Sequence, residues 1–288
     1  MLIRYPGGKG KLATRLIRII SRFLRDNPMS YREPFFGAGA IGFRLLRSRI
    51  EPRATFSDID YGMISLWWAV KEQPDDLITL ISDFKPNTES FFKFKKYLLN
   101  IPEDDYQQIS KRAEIGFKKL AIHQMSFSGL GTKSGGPLGG VSQSSDYKID
   151  CRWSPSHMKK NIFRLNELMK INDTRIEWCD FESIVTENGH KSFIYLDPPY
   201  YEKGPELYQY AFEDADHVRL SANLRQTSHV WLVSYDDNPR IRKLYDFADI
   251  VEVPLNYSVR GATSKTEILI APKKYSRLLE EKQEISIF

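Results

Sequence analysis

The residues with the clearest chemical meaning are Asp197, Pro198, Pro199 and Tyr200, which follow the apolar run 192–196. A carboxylate and the carbonyl of Pro198 could accept both hydrogens of an exocyclic amine and turn its nitrogen lone pair towards an electrophilic methyl group. The prolines fix φ and donate no hydrogen bond, and Tyr200 offers a stacking face for an extruded base. The pattern predicts methylation of a base amine, and the alternative is a strand that ends in a proline turn.

A second motif lies upstream, where a predicted strand over 31–36 runs into the glycine turn 37–39 and a predicted helix over 40–49. Glycines at such a turn let the backbone pass close to a ligand. Asp58 ends the next predicted strand, at the spacing where an acidic residue takes both hydroxyls of a ribose. Gly42 comes one residue too soon to complete the dinucleotide fingerprint. The predicted ligand is therefore an adenosine without a pyrophosphate.

These motifs, in this order, resemble those of the Dam-type (alpha-group) DNA adenine-N6 methyltransferases over most of the chain. The resemblance implies binding of S-adenosylmethionine and methyl transfer to N6 of a flipped adenine in double-stranded DNA. It assigns catalysis to Asp197, Pro198, Pro199 and Tyr200. It assigns cofactor binding to Tyr5, Pro6, Gly7, Gly8, Lys9, Glu33, Pro34, Phe35, Phe36, Gly37, Ala38, Gly39, Asp58, Ile59, Asp180 and Phe181.

The order of predicted elements agrees with that fold class. Predicted helices cover 9–25, 60–71, 89–99, 106–125 and 155–170, and strands alternate with helices from residue 176 onward. Such alternation predicts a mostly parallel, Rossmann-like α/β sheet with helices on both faces.

The formal net charge is +5, and its excess lies between Lys85 and Lys160, where thirteen basic residues face seven acidic ones. Such a segment can neutralise phosphates, although a solvated helix face has the same composition. We expect a mostly helical target-recognition subdomain with a hairpin or loop over 85–155, inserted into a catalytic domain formed by 1–84 and 156–288.

Residues 128–140 of this insert carry six of the 17 glycines and predict a flexible surface loop. Residues 127–129 resemble the start of the family's base-reading hairpin, but residues 131–133 lack the arginines and tyrosines of members that read GATC. A passive linker is the alternative. DNA contacts are expected from Lys118, Lys119, Phe127, Ser128, Gly129, Lys133, Arg260 and Lys265.

Composition excludes several other classes. No run approaches the roughly 18 apolar residues that span a bilayer, and the first residues lack a signal-peptide core. The only cysteines, Cys151 and Cys179, and five dispersed histidines predict no metal site and a reduced, cytoplasmic setting, in bacteria or encoded by phage. The glycines near residue 7 lack the spacing of a nucleotide-triphosphate loop.

Three alternatives stay open at this point. Neither cysteine follows a proline, which argues against cytosine-C5 chemistry, but cytosine-N4 methylation presents the same amine geometry. A catalytically silent nucleic-acid-binding protein on the same fold is a second alternative, and RNA as substrate is a third. A monomer and a weak dimer are both compatible with the sequence.

Overall fold

The computed structural model describes residues 2–3, 10–48, 53–202, 204, 209–255 and 265–279. Their strands form one seven-stranded sheet: β1 Ser30–Glu33, β2 Ala54–Asp58, β3 Arg175–Trp178, β4 Ser192–Leu196, β5 Val230–Asp236, β6 Ala248–Leu255 and β7 Lys265–Pro272.

The described helices follow the predicted pattern with two differences. A helix that was not predicted, residues 74–83, is present, and the predicted helix over 106–125 begins only at residue 112 after two shorter turns. The helices are α1 Gly10–Asp26, α2 Gly42–Leu46, α3 Tyr61–Glu72, α4 Pro74–Asp83, α5 Thr88–Leu99, α6 Glu103–Gln107, α7 Arg112–Met125, α8 Pro155–Ile171, α9 Phe181–Val185, α10 Asp214–Gln226 and α11 Pro239–Leu244.

The sheet has the order β3-β2-β1-β4-β5-β7-β6, with β7 antiparallel to both of its neighbours and the remaining pairs parallel. The chain winds outward from β1 in one direction and from β4 in the other. Loops that follow β1 and β4 therefore open a crevice between them at the carboxyl edge, which is where ligands bind in open α/β sheets. The predicted Rossmann-like class is confirmed.

Hydrophobic cores lie on both faces of the sheet, because successive strand residues point to opposite sides. In β4, Phe193 and Tyr195 join the core beneath α1, α3 and α7, whereas Ile194 and Leu196 join the core beneath α9, α10 and α11. All four side chains are fully buried. The strand that precedes the 197–200 motif is thus fixed from both faces.

The insert packs closely on the rest of the chain. Side chains of α5 and α7 lie in the same core as α3, and its division from the catalytic domain stays a prediction. The expectation of a flexible surface loop is wrong for residues 129–138. Thr132, Ser134 and Leu138 are buried there, and the N–H of Leu138 donates to the carbonyl of Met125.

Candidate active site

The glycine turn after β1 is held by its own backbone and by aromatic packing. Gly39 has a φ of +68°, and a Cβ there would lie 2.4 Å from the ring of Phe43, so only glycine fits without strain. The N–H of Phe36 donates to the carbonyl of Ser57 at 3.0 Å, and its ring stacks on Phe56 with centroids 3.9 Å apart. The turn is therefore positioned directly against the end of β2.

Asp58 ends β2 and binds that turn. Its Oδ2 accepts the N–H of Gly37 at 2.8 Å, and its Oδ1 accepts the N–H of Asp60 at 3.0 Å. Burial and the neighbouring charge of Asp60 raise the pKa of Asp58 to about 6. A partly exposed carboxylate at this place, oriented by two backbone donors, suits a pair of ribose hydroxyls.

Glu33 lies beneath the same turn. Its side chain is 2% exposed, and its Oε2 accepts the hydroxyl of Tyr31 at 2.8 Å. Burial raises the pKa of Glu33 well above its ordinary value. Among the predicted cofactor residues it therefore supports the turn from below, and its burial argues against direct contact with a ligand.

An aromatic cavity of about 140 Å³ adjoins Asp58. It brings together residues that lie far apart in the sequence, because the ends of β1, β2 and β3 meet at this edge of the sheet. The rings of Phe35, Phe181 and Phe212 contact one another at centroid distances of 5.4–5.6 Å. The cavity is lined by Pro34, Phe35, Ile59, Asp180, Phe181, Tyr210, Ala211, Phe212, Asp216 and Arg219.

Asp180 is held at the rim of this cavity by Arg219. The guanidinium donates to both carboxylate oxygens, at 2.6 and 3.0 Å, and lies 4.3 Å above the ring of Phe181. A carboxylate retains further acceptor sites when one arginine binds it. Asp180 is thus oriented by a residue of α10 that the sequence patterns did not point to.

Asp197 follows β4 at the mouth of the crevice. Ser234 of β5 donates to its Oδ1 at 3.2 Å, and the hydroxyl of Tyr195 lies 2.9 Å from the same serine oxygen. Since the serine proton is directed to the carboxylate, Tyr195 is the donor to Ser234. Burial raises the pKa of Tyr195 well above its ordinary value, which keeps that proton in place.

The rest of the 197–200 motif is held equally firmly. Pro198 and Pro199 are buried, and the half-exposed Tyr200 donates its hydroxyl to Glu267 of β7 at 2.6 Å. Glu267 is 6% exposed. The ring of Tyr200 is therefore fixed at its far end and leaves part of its surface open at the crevice.

The insert contacts the segment that leads into the aromatic cavity. Thr132 donates its hydroxyl to the side chain of Gln209 at 2.7 Å, three residues before the cavity residue Phe212. Phe127 is 64% exposed on the same segment, and Ser128 and Lys133 are also exposed. These three predicted DNA-contacting residues lie on the surface.

Other predicted DNA contacts are placed differently. Lys118 is buried, with its ammonium 2.5 Å from Glu114, and Lys119 is buried with its ammonium 2.5 Å from Asp60. Their burial and pairing argue against the predicted phosphate contacts. Gly129 is also buried, and its carbonyl binds the ring of the equally buried His123.

Some predictions fall where the structure gives no side-chain description. Lys265 begins β7, where only its backbone is described. The other such residues, Tyr5, Pro6, Gly7, Gly8, Lys9 and Arg260, lie outside the described residues.

Ser234, Glu267 and Arg219 were not predicted as site residues. The signal for Ser234 was present, because it is a polar residue that follows an apolar run in Val230–Asp236, whereas Glu267 follows Lys265 and Thr266 at the polar start of Lys265–Pro272. Arg219 lies on a helix with several charged residues and carried no comparable signal.

A glycine turn, a carboxylate at the end of the second strand and Asp-Pro-Pro-Tyr at the end of the fourth define, on this sheet, the class of Rossmann-like amino-methyltransferases. The sequence matches the profile of the D12 class N6 adenine-specific DNA methyltransferases over residues 5–259, and the chain belongs to that family. It is an adenine-specific DNA methyltransferase, and the related proteins below are named type II methyltransferases.

Three related proteins show how low the sequence identity to this chain is. Type II methyltransferase M.MjaIII of Methanocaldococcus jannaschii is 23% identical over 78% of this chain and 78% of its own length. Type II methyltransferase M1.LlaDCHI of Lactococcus lactis subsp. cremoris is 25% identical over 68% of this chain and 64% of its own length. Type II methyltransferase M.CviBI of Paramecium bursaria Chlorella virus NC1A is 22% identical over 85% and 86%.

Two features are absent from the described residues. Among their helices, none combines the length and the apolar character needed to cross a bilayer. Within the same ranges, no group of three or more histidine, cysteine, aspartate or glutamate side chains is arranged to hold a metal ion.

Proposed function

We propose that this enzyme takes its methyl group from S-adenosylmethionine and transfers it to N6 of an adenine extruded from double-stranded DNA. The observation that carries the proposal is the position of Asp197, hydrogen-bonded by Ser234 and placed at the crevice that the glycine turn enters. Family membership supports the adenine and the DNA. The assignment of roles to single residues rests on the geometry below.

The cavity beside Asp58 fits an adenosine. Its walls are aromatic and its rim carries the carboxylate of Asp180, so it suits a flat base with an exocyclic amine. Asp58 precedes the cavity residue Ile59 and would accept hydrogen bonds from the ribose. S-adenosylmethionine, when bound there, supplies a methyl group on a sulfonium, which is already an activated leaving group.

Asp197 and the carbonyl of Pro198 would hold the two hydrogens of the target amine. That arrangement turns the nitrogen lone pair out of the ring plane and raises its electron density without a covalent enzyme intermediate. Ser234 fixes the carboxylate so that no reorientation is required as positive charge develops on nitrogen. Tyr200 would stack on the extruded base, since its hydroxyl is anchored and its ring is partly exposed.

The exposed part of the insert is the proposed contact with DNA. Phe127, Ser128 and Lys133 are exposed on a segment whose Thr132 binds the loop that follows the catalytic motif. A target base in the crevice would therefore bring its flanking duplex against these residues. Side chains at such a place specify the sequence, whereas phosphate contacts position the duplex.

Asp197→Ala tests the proposal. We expect methyl transfer to fall by at least about 100-fold, the cost of one positioned acceptor, with calorimetric affinity for S-adenosylmethionine and DNA within a few-fold. Asp237→Ala is the matched control, because that carboxylate pairs with Arg242 near the surface and is not part of the proposed site.

Mass spectrometry of nucleosides from treated DNA completes the test. N6-methyl-2′-deoxyadenosine supports the proposal, and N4-methyl-2′-deoxycytidine would replace it with the alternative amine. Bound cofactor without any methylated product would indicate a silent protein. Retention of more than about a tenth of wild-type turnover by Asp197→Ala would remove this residue from the mechanism.

A further inference from the structure

Lys119 of α7 ends beneath the proposed ribose site. Its side chain is 3% exposed, and its ammonium donates to Oδ2 of Asp60 at 2.5 Å. Asp60 is the N-cap of α3, where its Oδ1 accepts the N–H of Met63 at 3.1 Å. A lysine of the insert therefore holds the first turn of the helix that follows the ribose strand.

Asp60 in turn orients Asp58 through a backbone hydrogen bond. Its N–H donates to Oδ1 of Asp58 at 3.0 Å, so the two carboxylates lie side by side at the crevice. Burial first and the charge of Asp60 second raise the pKa of Asp58, while the two backbone donors and Lys119 lower it. Among the described residues, Tyr61, Tyr106 and Tyr210 also lie near this pair, and burial raises the pKa of Tyr106 and Tyr210. Within the described ranges, Lys119 is the cation that acts on Asp58.

A close helix contact brings the lysine to this place. Gly116 lies one turn before Lys119 on the same face of α7. A Cβ at Gly116 would come within 2.5 Å of Cα of Leu66 and 2.7 Å of its nitrogen, so α7 approaches the backbone of α3 directly. The two helices run antiparallel from that contact, and the lysine reaches the start of α3. Burial of this charge is thus built into the packing.

We propose that Lys119 is a positioning residue for the cofactor, which acts by holding Asp60 and offsetting its charge, so that the carboxylate of Asp58 stays directed at the ribose hydroxyls. This inference rests on the proposed ribose contact of Asp58. It gives Lys119 a role in place of the phosphate contact predicted from the charge of the insert. It also makes α7, an insert helix, part of the cofactor site.

Lys119→Met compared with Lys118→Met tests the inference. Lys118 is the matched control, because it is also buried but pairs with Glu114 and lies 3.8 Å from the ring of Tyr97. Loss of a neighbouring opposite charge shifts a carboxyl pKa by about one to three units, each worth tenfold. We expect the Lys119 variant to bind S-adenosylmethionine at least about fivefold more weakly near pH 6, and the Lys118 variant to stay within about twofold of wild type.

The readout is calorimetric affinity for S-adenosylmethionine between about pH 5 and pH 8, with thermal unfolding to show that each variant is folded. In wild type the affinity should fall as the pH drops below about 6, the pKa of Asp58. In Lys119→Met the midpoint should move to higher pH. If the role of Lys119 were purely structural, its loss would weaken binding without moving the pH midpoint.

A double variant, Asp60→Asn with Lys119→Met, separates charge from packing. Asparagine can still cap α3, and removal of both charges ends the repulsion on Asp58. We expect this variant to regain affinity to within about threefold of wild type. The inference is overturned if Lys119→Met binds like Lys118→Met, if its midpoint is unchanged, or if the double variant stays as weak as the single one.

Asp58→Asn distinguishes this inference from the proposed function. Unchanged affinity in that variant would show that the ribose lies elsewhere, and the assignment of Asp58 would fall together with the role of Lys119. Weaker binding in Asp58→Asn alongside wild-type binding in Lys119→Met would overturn only the role of Lys119.

Discussion

Ser234→Ala is expected to slow methyl transfer while leaving both ligands bound. The serine donates a hydrogen bond to Asp197 and accepts one from the hydroxyl of the buried Tyr195. It therefore connects the core of the sheet with the carboxylate that would hold the target amine. Alanine removes the donor without adding volume. The carboxylate would then be less well oriented when positive charge develops on the amine nitrogen.

The magnitude follows from the charge on the acceptor. A hydrogen bond to a charged group contributes about 1.5–3 kcal/mol, which corresponds to about 10-fold to 150-fold in rate if the bond acts in the transition state. The same substitution leaves the Tyr195 hydroxyl, which is fully buried, without its serine partner. That loss should cost about 1–3 kcal/mol of folding stability.

Single-turnover methylation at saturating cofactor and DNA measures the first effect, and denaturant unfolding measures the second. The double variant Tyr195→Phe with Ser234→Ala is the control, because it removes both hydroxyls. We expect it to recover most of the stability and none of the rate.

Two results would refute this reasoning. Turnover of Ser234→Ala within about twofold of wild type would show that the serine does not act on the transition state. Recovery of the rate together with the stability in the double variant would assign the effect to packing.

Further predictions concern the cofactor and the DNA surface. Burial raises the pKa of Asp58 from 3.8 to about 6. The contribution of Asp58 to folding stability should therefore fall as pH rises through that interval, while cofactor affinity rises. Asp58→Asn should abolish both of these pH dependences, which are measured by unfolding and by calorimetry. Arg219→Met should weaken cofactor affinity, whereas Arg225→Met, which loses a surface pair with Asp246 and a contact with the ring of Phe247, should not. Equal affinities of the two variants would leave Asp180 without a role at the cavity. Phe127→Ala should lower DNA methylation without changing the melting temperature, because that ring is 64% exposed, and an unchanged methylation rate would remove it from the DNA surface. Lys133→Ala should reduce the salt dependence of DNA binding by up to about one unit of slope, and an unchanged slope would exclude a phosphate contact.

Much of the fold could be predicted from the sequence. Buried strands such as Ser192–Leu196 are short apolar runs that end in turn residues, and α1 shows its core side as apolar residues at helical spacing. The glycine turn and the Asp-Pro-Pro-Tyr motif were also visible, because local chemistry dictates those residue types. α4 was missed although Pro74 at its first position, followed by Asp75 and Asp76, is a helix start signal.

The insert shows what composition cannot settle. Its glycines predicted flexibility, yet two of them allow close packing, Gly131 against the ring of His123 and Gly139 against the carbonyl of Tyr147. Its lysines predicted a phosphate-binding surface, yet Lys118 and Lys119 are buried beside carboxylates. Whether a charge is solvated or paired depends on which helix packs against it, and a count of residues does not contain that information.

The sequence by itself determined the class of chemistry, the order of the strands along the chain and the residues at their carboxyl ends. Only the tertiary structure decided which side chains orient them. Ser234, Glu267 and Arg219 act through contacts with residues 37 to 67 positions away. Such contacts exist because the carboxyl ends of β4 and β5 and the start of the antiparallel β7 meet at one edge of the sheet, and α10 packs beside that edge, whatever the length of chain between them.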